Sequence, residues 1–398
     1  MPIDYTPDLP QTADLVIVGG GIAGASTAFH ATRAGLRPLI LERRPAVCTF
    51  TTAVAAGGFR LQLDDEEEFG LISESVDLFL NFDEVTGQRE YGPGVRQQGY
   101  LWATTEEGRA EAQRRLAELQ RGWGLTDVEV LEGDEARRRF PFLGPEVLQA
   151  RFRGDDGLLD PIGLTLGLAA ASRAPVVPGC EVTGFRVGGD GLTAVDTSRG
   201  RVSTEAAVIA AGPFSGVVAA MAGVELPVTA VNRQKLVMPD VPAVPPDAPM
   251  TIDDDSGAHW RPALRGASLL FTDPSAPPAE PVEDVPTDAG FAFRLLDPDS
   301  PVSVARVVPF WREVWERGNA PWLLQAGQYT ETPDRRPLIG PTAVEGLYAN
   351  AGYGGRGVMG SPAGSRILVD LITGKLADPD NPYRLDRAFA ERPRLDPL

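Results

Sequence analysis

"ADLVIVGGGIAGASTAFHATRAGLRPLILE", residues 13–42, decides the fold. Ala13 to Gly19 is short, apolar and β-branched-rich, the pattern of a strand buried on both faces of a parallel sheet. Gly19, Gly21 and Gly24 then satisfy G-x-G-x-x-G, Ala28 follows one turn later, and Gly35 stops the helix. Arg37 to Leu41 reads as a second strand, ending at Glu42. Gly19 permits the tight turn from strand to helix, Gly21 lets backbone approach a pyrophosphate, and Gly24 lets helix pack on strand. The helix N-terminus offers free N–H groups and a positive dipole to phosphates. Glu42, 23 residues after Gly19, is placed to accept hydrogen bonds from an adenosine ribose. Strand, glycines, helix, strand and terminal acid together predict a Rossmann-like dinucleotide site. Arg43 and Arg44 raise the question of a 2′-phosphate, but Glu42 would repel one, so FAD or NAD is expected rather than NADP.

The 398 residues allow two or three folding units, and 43% hydrophobic content supports a sizeable core. A formal net charge of −18 argues against nucleic acid as a partner, because phosphate binding needs a basic face. Lys235 and Lys375 are the only lysines; nearly all positive charge is arginine. Cys48 and Cys180 form no disulfide framework or CxxC pair, which fits a reducing compartment. The first residues, MPIDYTPDLPQT, lack the basic start and apolar run of a signal peptide, and no apolar run reaches membrane-spanning length. A cytoplasmic protein is expected. Two histidines and two cysteines, none at ligand spacing, make a zinc site improbable. His30, inside the first helix, reads as packing.

Further along, helices are expected at 71–90, 106–123, 134–140 and within 301–317. Strands are expected at 99–104, 206–211, 228–238, around 258–272 and at 346–350, with a hairpin at 179–196. The proline-rich stretches 239–249 and 274–286 are loops or sheet edges. Dinucleotide-fold elements thus recur at the start, middle and end of the chain. They predict an α/β protein, α+β overall, whose Rossmann-like domain is assembled from residues 1–90, 155–220 and 330–398. An inserted mixed-sheet substrate domain takes residues 91–154 and 221–329, and the active site falls where the two meet.

A second glycine cluster closes the pattern. "NAGYGGRGVMGSP", residues 350–362, precedes a helix expected from about Pro362 and holds Gly352, Gly354, Gly355, Gly357 and Gly360. Such freedom suits close approach of backbone to a ligand.

"GGFR" (57–60), "AAVIAAGPFS" (206–215) and "DRRPLIGPTAVEGLYANAGYGGRGVM" (334–359) occur in this order and at these distances. On these motifs the chain resembles the FAD-dependent amine oxidoreductases of the D-amino-acid oxidase superfamily, in their sarcosine oxidase and glycine oxidase branch. The resemblance covers nearly the whole chain. It implies that Gly19, Gly21, Gly24 and Glu42 hold the ADP half of FAD, with Arg43 and Thr52 lining that half. It implies that Val182, in "GCEVTG", touches adenine through its backbone and that Gly212 passes close to the cofactor. Gly354, Gly355, Arg356, Gly357 and Val358 would lie beside the isoalloxazine ring, their N–H groups and the following helix dipole facing its N1–C2=O edge.

On the substrate side the resemblance places Arg60 above the ring as a carboxylate fork, with Arg261, Arg294 and Arg356 as rival arginines. His259, in "GAHWRP", matches a position where relatives often carry a tyrosine facing substrate, and Tyr329, in "GQYTETPD", a tyrosine near the flavin. Three departures stand out. Gly327 occupies the place of the cysteine that attaches FAD in monomeric sarcosine oxidases, so noncovalent FAD is expected. Met359 replaces a lysine of the carboxylate clamp, which implies a more apolar pocket. Ser268 is the nearest match to the lysine that activates oxygen in those enzymes.

The expected activity is oxidation of an amino-acid-like amine: glycine, sarcosine, or an N-alkyl or N-carboxymethyl amino acid. A hydride passes to flavin, the imine hydrolyses, and O2 is reduced to H2O2. A same-fold dehydrogenase passing electrons to a quinone or protein is the main alternative; an FAD-binding assembly or electron-transfer subunit is a further one. An aromatic monooxygenase is disfavoured by GYGGRG standing where a GD motif is usual.

Overall fold

A computed structural model describes residues 2–318, 320–390 and 395. The apolar run of the opening stretch becomes the strand Leu15–Val18, buried throughout. It pairs in parallel with Pro38–Glu42 on one side and Ala207–Ile209 on the other. Val176–Pro178 and Leu347–Ala351 extend this sheet in parallel, and Leu338–Pro341 closes one edge antiparallel, giving six strands. Parallel strands in the interior need cover on both faces. On one face, Leu15 and Ile17 pack with Ala28 and Ala31 of the helix Ile22–Arg33 and with Ala363, Leu368 and Val369 of the helix Gly357–Ile372. On the other, Val16, Val18, Leu39 and Leu41 meet Val182, Leu192, Val195 and Val202 of a three-stranded antiparallel sheet.

A second, nine-stranded sheet takes its strands from residues 100–104, 129–153, 229–279 and 323–331. Side chains alternate between its faces. Leu101, Leu236, Trp260 and Leu269 point to an apolar core, where Trp260 meets Trp311 edge-on at 5.8 Å. Alternate residues therefore point the other way. Ile252, His259, Leu270, Lys235 and Gln325 stand in register across five neighbouring strands.

Two elements differ from the sequence expectation. The C-terminal helix starts at Gly357, not near Pro362, so Met359 and Gly360 are helical. Pro362 lies inside this helix, and the following N–H, that of Ala363, donates to Ser75 Oγ at 3.1 Å. The helix expected at 71–90 is two, Glu66–Leu80 and Phe82–Thr86, the first begun by Asp65, which accepts the Glu68 N–H at 3.0 Å. The helix Pro161–Ser172 and the strand Leu323–Glu331 were not anticipated.

Candidate functional site

One cavity collects residues from both large sheets. Of the residues singled out in the sequence, Gly19, Gly21, Glu42, Arg43, Thr52, Arg60, Val182, Gly212, His259, Tyr329, Gly354, Gly355, Arg356, Gly357, Val358 and Met359 line it. Gly24 stands behind the wall: a Cβ there would lie 1.9 Å from the Gly19 carbonyl oxygen, so it serves helix–strand packing.

The Gly19 end fits a dinucleotide. Gly19 has φ +114°, and a Cβ on it would meet the Ala210 carbonyl oxygen at 2.5 Å. The helix Ile22–Arg33 starts at Gly21 with no side-chain cap and no acid in its first turn. Thr52 Oγ1 accepts the Ile22 N–H at 3.3 Å. With no cap from Gly21 itself and no acid nearby in the helix, this electropositive start is what a pyrophosphate needs. Glu42 accepts the Gly20 N–H at 2.7 Å and the Arg44 N–H at 2.8 Å, which fixes its carboxylate at the cavity wall. Burial raises the Glu42 pKa against those two hydrogen bonds.

Arg43 and Arg44 both line the cavity and share a carboxylate partner. Both pair with Glu283, at 2.5 and 2.6 Å, and the Arg43 guanidinium lies 3.7 Å from the Phe214 ring centroid. Glu283 belongs to the proline-rich stretch 274–286. Gln328 anchors that stretch, accepting from Val282 N at 3.1 Å and donating to the Glu280 carbonyl at 2.8 Å.

The second glycine cluster forms the opposite end. Gly354–Arg356 is one turn of 3-10 helix leading into Gly357–Ile372, whose start also lacks a side-chain cap and acidic residues. A Cβ on Gly355 would come 2.8 Å from the Tyr329 ring, so glycine lets that ring lie on the backbone. Of the rival arginines, Arg356 lines the cavity and pairs with Glu68, whereas Arg261 and Arg294, the latter paired with Asp273, are not among the lining residues. Behind this end lies a polar cluster that sequence reading missed. Asn350 Nδ2 donates to Thr27 Oγ1 at 3.0 Å and to Ser365 Oγ at 2.9 Å, and Tyr353 donates its hydroxyl proton to Asn350 Oδ1 at 2.5 Å. It ties together the two helices whose starts line the cavity.

The remaining wall is cationic and aromatic. Arg60 is buried, donates to the Gln62 carbonyl and lies 4.9 Å from the Trp102 ring centroid. Gln62 Nε2 in turn donates to Asp156 Oδ2 at 3.0 Å and to the Tyr100 carbonyl at 3.1 Å. His259 Nδ1 lies 2.9 Å from the Gly257 carbonyl oxygen; burial drives its pKa to about 4, so its ring is neutral. Tyr100 and Lys235 also line the cavity and were not recognised in the sequence as site residues. The signal for both lay in strand alternation, which puts them on the face of His259. Gly327 lines the wall where a cysteine was looked for, its Cβ position 2.8 Å from Val54. His30 is packing, as expected: burial lowers its pKa to about 4.

The model for the family DAO, FAD dependent oxidoreductase, matches residues 14–371. The chain belongs to the DAO family of FAD-dependent oxidoreductases. Human sarcosine dehydrogenase is 28% identical over 97% of this chain but 43% of its own length, so the chain spans less than half of that relative. Sarcosine oxidase subunit beta from Arthrobacter is 25% identical, covering 96% of this chain and 92% of that one. The glycine oxidase structure from Geobacillus kaustophilus aligns with a TM-score of 0.80 at 25% identity, over 96% of this chain and all (100%) of that one. As a DAO-family protein the chain uses FAD, and the two ends of its cavity suit the two ends of that cofactor. Among the described residues, no helix is long and apolar enough to cross a membrane.

Proposed function

We propose that the protein oxidises an amino-acid-like secondary amine, an N-alkyl or N-carboxymethyl glycine, using noncovalent FAD. The observation that carries this reading is the continuity of the cavity. It runs from the uncapped helix start at Gly21 to a wall holding Arg60, His259, Tyr329 and Met359. The relatives named for sarcosine support the same substrate class.

FAD, when bound, supplies the two-electron acceptor. The chain supplies orientation. Arg60 presents a guanidinium to the substrate carboxylate, its position fixed through Gln62 and Asp156. The helix start at Gly357 offers positive dipole to charge that develops on the flavin's N1–C2=O edge, worth about 0.3–2 kcal/mol. His259, neutral, and Tyr329 shape the pocket without holding charge. Met359 is buried among Ile22, Phe59 and Ile72 and gives the pocket an apolar side, which suits an N-substituent larger than methyl.

The electrons pass on to O2, giving H2O2. A dehydrogenase reading is favoured by Ser268, buried beneath the wall where relatives were expected to place a lysine, and by the dehydrogenases among the relatives. Anaerobic titration of the purified yellow protein with a panel of amines and amino acids tests the reading. Bleaching by N-substituted glycines supports it, and bound FAD that no amine reduces overturns it. Readmitting air then separates the acceptors: recovery within seconds with peroxide marks an oxidase, recovery over minutes a dehydrogenase.

A further inference from the structure

The reaction proposed above needs a neutral amine, because a protonated nitrogen has no lone pair to stabilise the carbon that loses hydride. An amino-acid-like amine is mostly an ammonium at neutral pH. A group in the site that takes this proton would let the abundant ammonium form react.

The cavity wall offers few acceptors. His259 is neutral only because it holds protons poorly, with a pKa near 4, and burial keeps the Tyr100 and Tyr329 phenols protonated. Arg60 and Arg233 are guanidiniums and keep their protons. Glu331 pairs with Arg233 at 3.8 Å. Glu42 lies at the Gly20 end, hydrogen-bonded to backbone, and Glu181 lines that same end, next to Cys180, whose N–H donates to the Glu42 carbonyl.

Lys235 differs from all of these. It is 8% exposed and lines the cavity. It shares a register row with His259, two strands away, or roughly 10 Å between backbones. Its Nζ donates to the Ala55 carbonyl at 3.2 Å, beside the segment that leads to Arg60. Among the described residues no carboxylate stands within ion-pair distance of it. Its charged neighbour Arg261 is also a cation, and burial together with that repulsion lowers its pKa to about 8. A lysine in such surroundings exchanges a proton near neutral pH.

We propose that Lys235 accepts the proton of the substrate ammonium and so prepares the amine for oxidation. This rests on the amine-oxidising reading above. The substrate N–H bond breaks, an N–H bond to Nζ forms, and the lone pair stays on the substrate nitrogen. Bound FAD would be the two-electron acceptor for the hydrogen of the α-carbon. The lysine releases its proton to solvent after the imine hydrolyses.

The test is anaerobic reduction of the FAD-loaded protein by excess amine, from about pH 6 to about pH 10. Wild type, Lys235→Met and Lys235→Arg are compared. Wild type should gain rate through a group titrating near 8. Both variants should retain FAD, lose that limb, and at pH 7 reduce about 100-fold more slowly. Arginine keeps the charge but cannot accept the proton, so rescue by Lys235→Arg would overturn the proposal, as would an unchanged pH limb in Lys235→Met. A second readout needs no turnover. With two lysines in the chain, 13C-methylated protein gives two resolvable lysine signals, assigned by the Lys235 variants. A Lys235 signal that titrates only above about pH 10 overturns the proposal. If no amine reduces wild type, the functional reading fails, which is a distinct outcome.

Discussion

Gly24 lies so close to Gly19 that a methyl group on it would stand 1.9 Å from the Gly19 carbonyl oxygen. Backbone cannot yield as a flexible side chain can. Gly24→Ala should push the first helix off its strand and cost about 1–3 kcal/mol. A lower thermal midpoint with loss of bound FAD is expected; an unchanged midpoint would mean that the helix has room to shift.

Arg60→Gln should weaken binding of carboxylated amines by about 1.5–3 kcal/mol, or about 10- to 100-fold in Kd. FAD binding should stay intact, since Arg60 lies away from the Gly20 end. Spectral titration of the bound flavin with an unreactive carboxylate measures it. An unchanged Kd removes Arg60 from the substrate site.

Asn350 joins Thr27 and Ser365 in a buried network. Asn350→Ala removes the acceptor of the Tyr353 hydroxyl and one donor to each of the other two, which still bond the Ala23 carbonyl, at about 1–3 kcal/mol. Pairing it with Thr27→Val should give less than the sum of the two single effects. Full additivity in denaturant unfolding would contradict the network.

The two histidines make stability depend on pH. His30 and His259 both have folded pKa values near 4, below the ordinary value of 6.5. Between 6.5 and 4 the unfolded chain binds protons that the folded chain refuses, so stability rises with pH across this window. The unfolding midpoint should therefore fall on going from about pH 7 to about pH 5. The fall should be smaller in His30→Gln/His259→Gln. The slope itself should be unaltered by replacing Lys235, which titrates higher.

Local rules carried the first βαβ unit, because each step from Leu15 to Glu42 is settled within the stretch itself. The glycine cluster at 352–360 was equally legible as a ligand approach, though not the helix start at Gly357, since a proline usually marks a first turn. What sequence hid were groups brought together by sheet pairing. Lys235 and His259 lie 24 residues apart in the chain and become neighbours only through the register of two intervening pairings. Glu283 reaches Arg44 from 239 residues away, and Arg43 with it. Asp156, buried and paired with Arg153 at 2.7 Å, was not singled out in the sequence.

The Asn350 cluster has a consequence for which cofactor can enter. It fastens the helix that begins at Gly21 to the helix that begins at Gly357, and both starts open on the same cavity. The span between them is therefore set by the protein's own hydrogen bonds rather than by the guest. On the cofactor placement proposed above, choice becomes a matter of length: a molecule must carry a flavin and a pyrophosphate at that fixed span to satisfy both ends. Flavin mononucleotide, too short to do so, should fail to displace FAD from the apoprotein even in large excess. The protein works as a ruler.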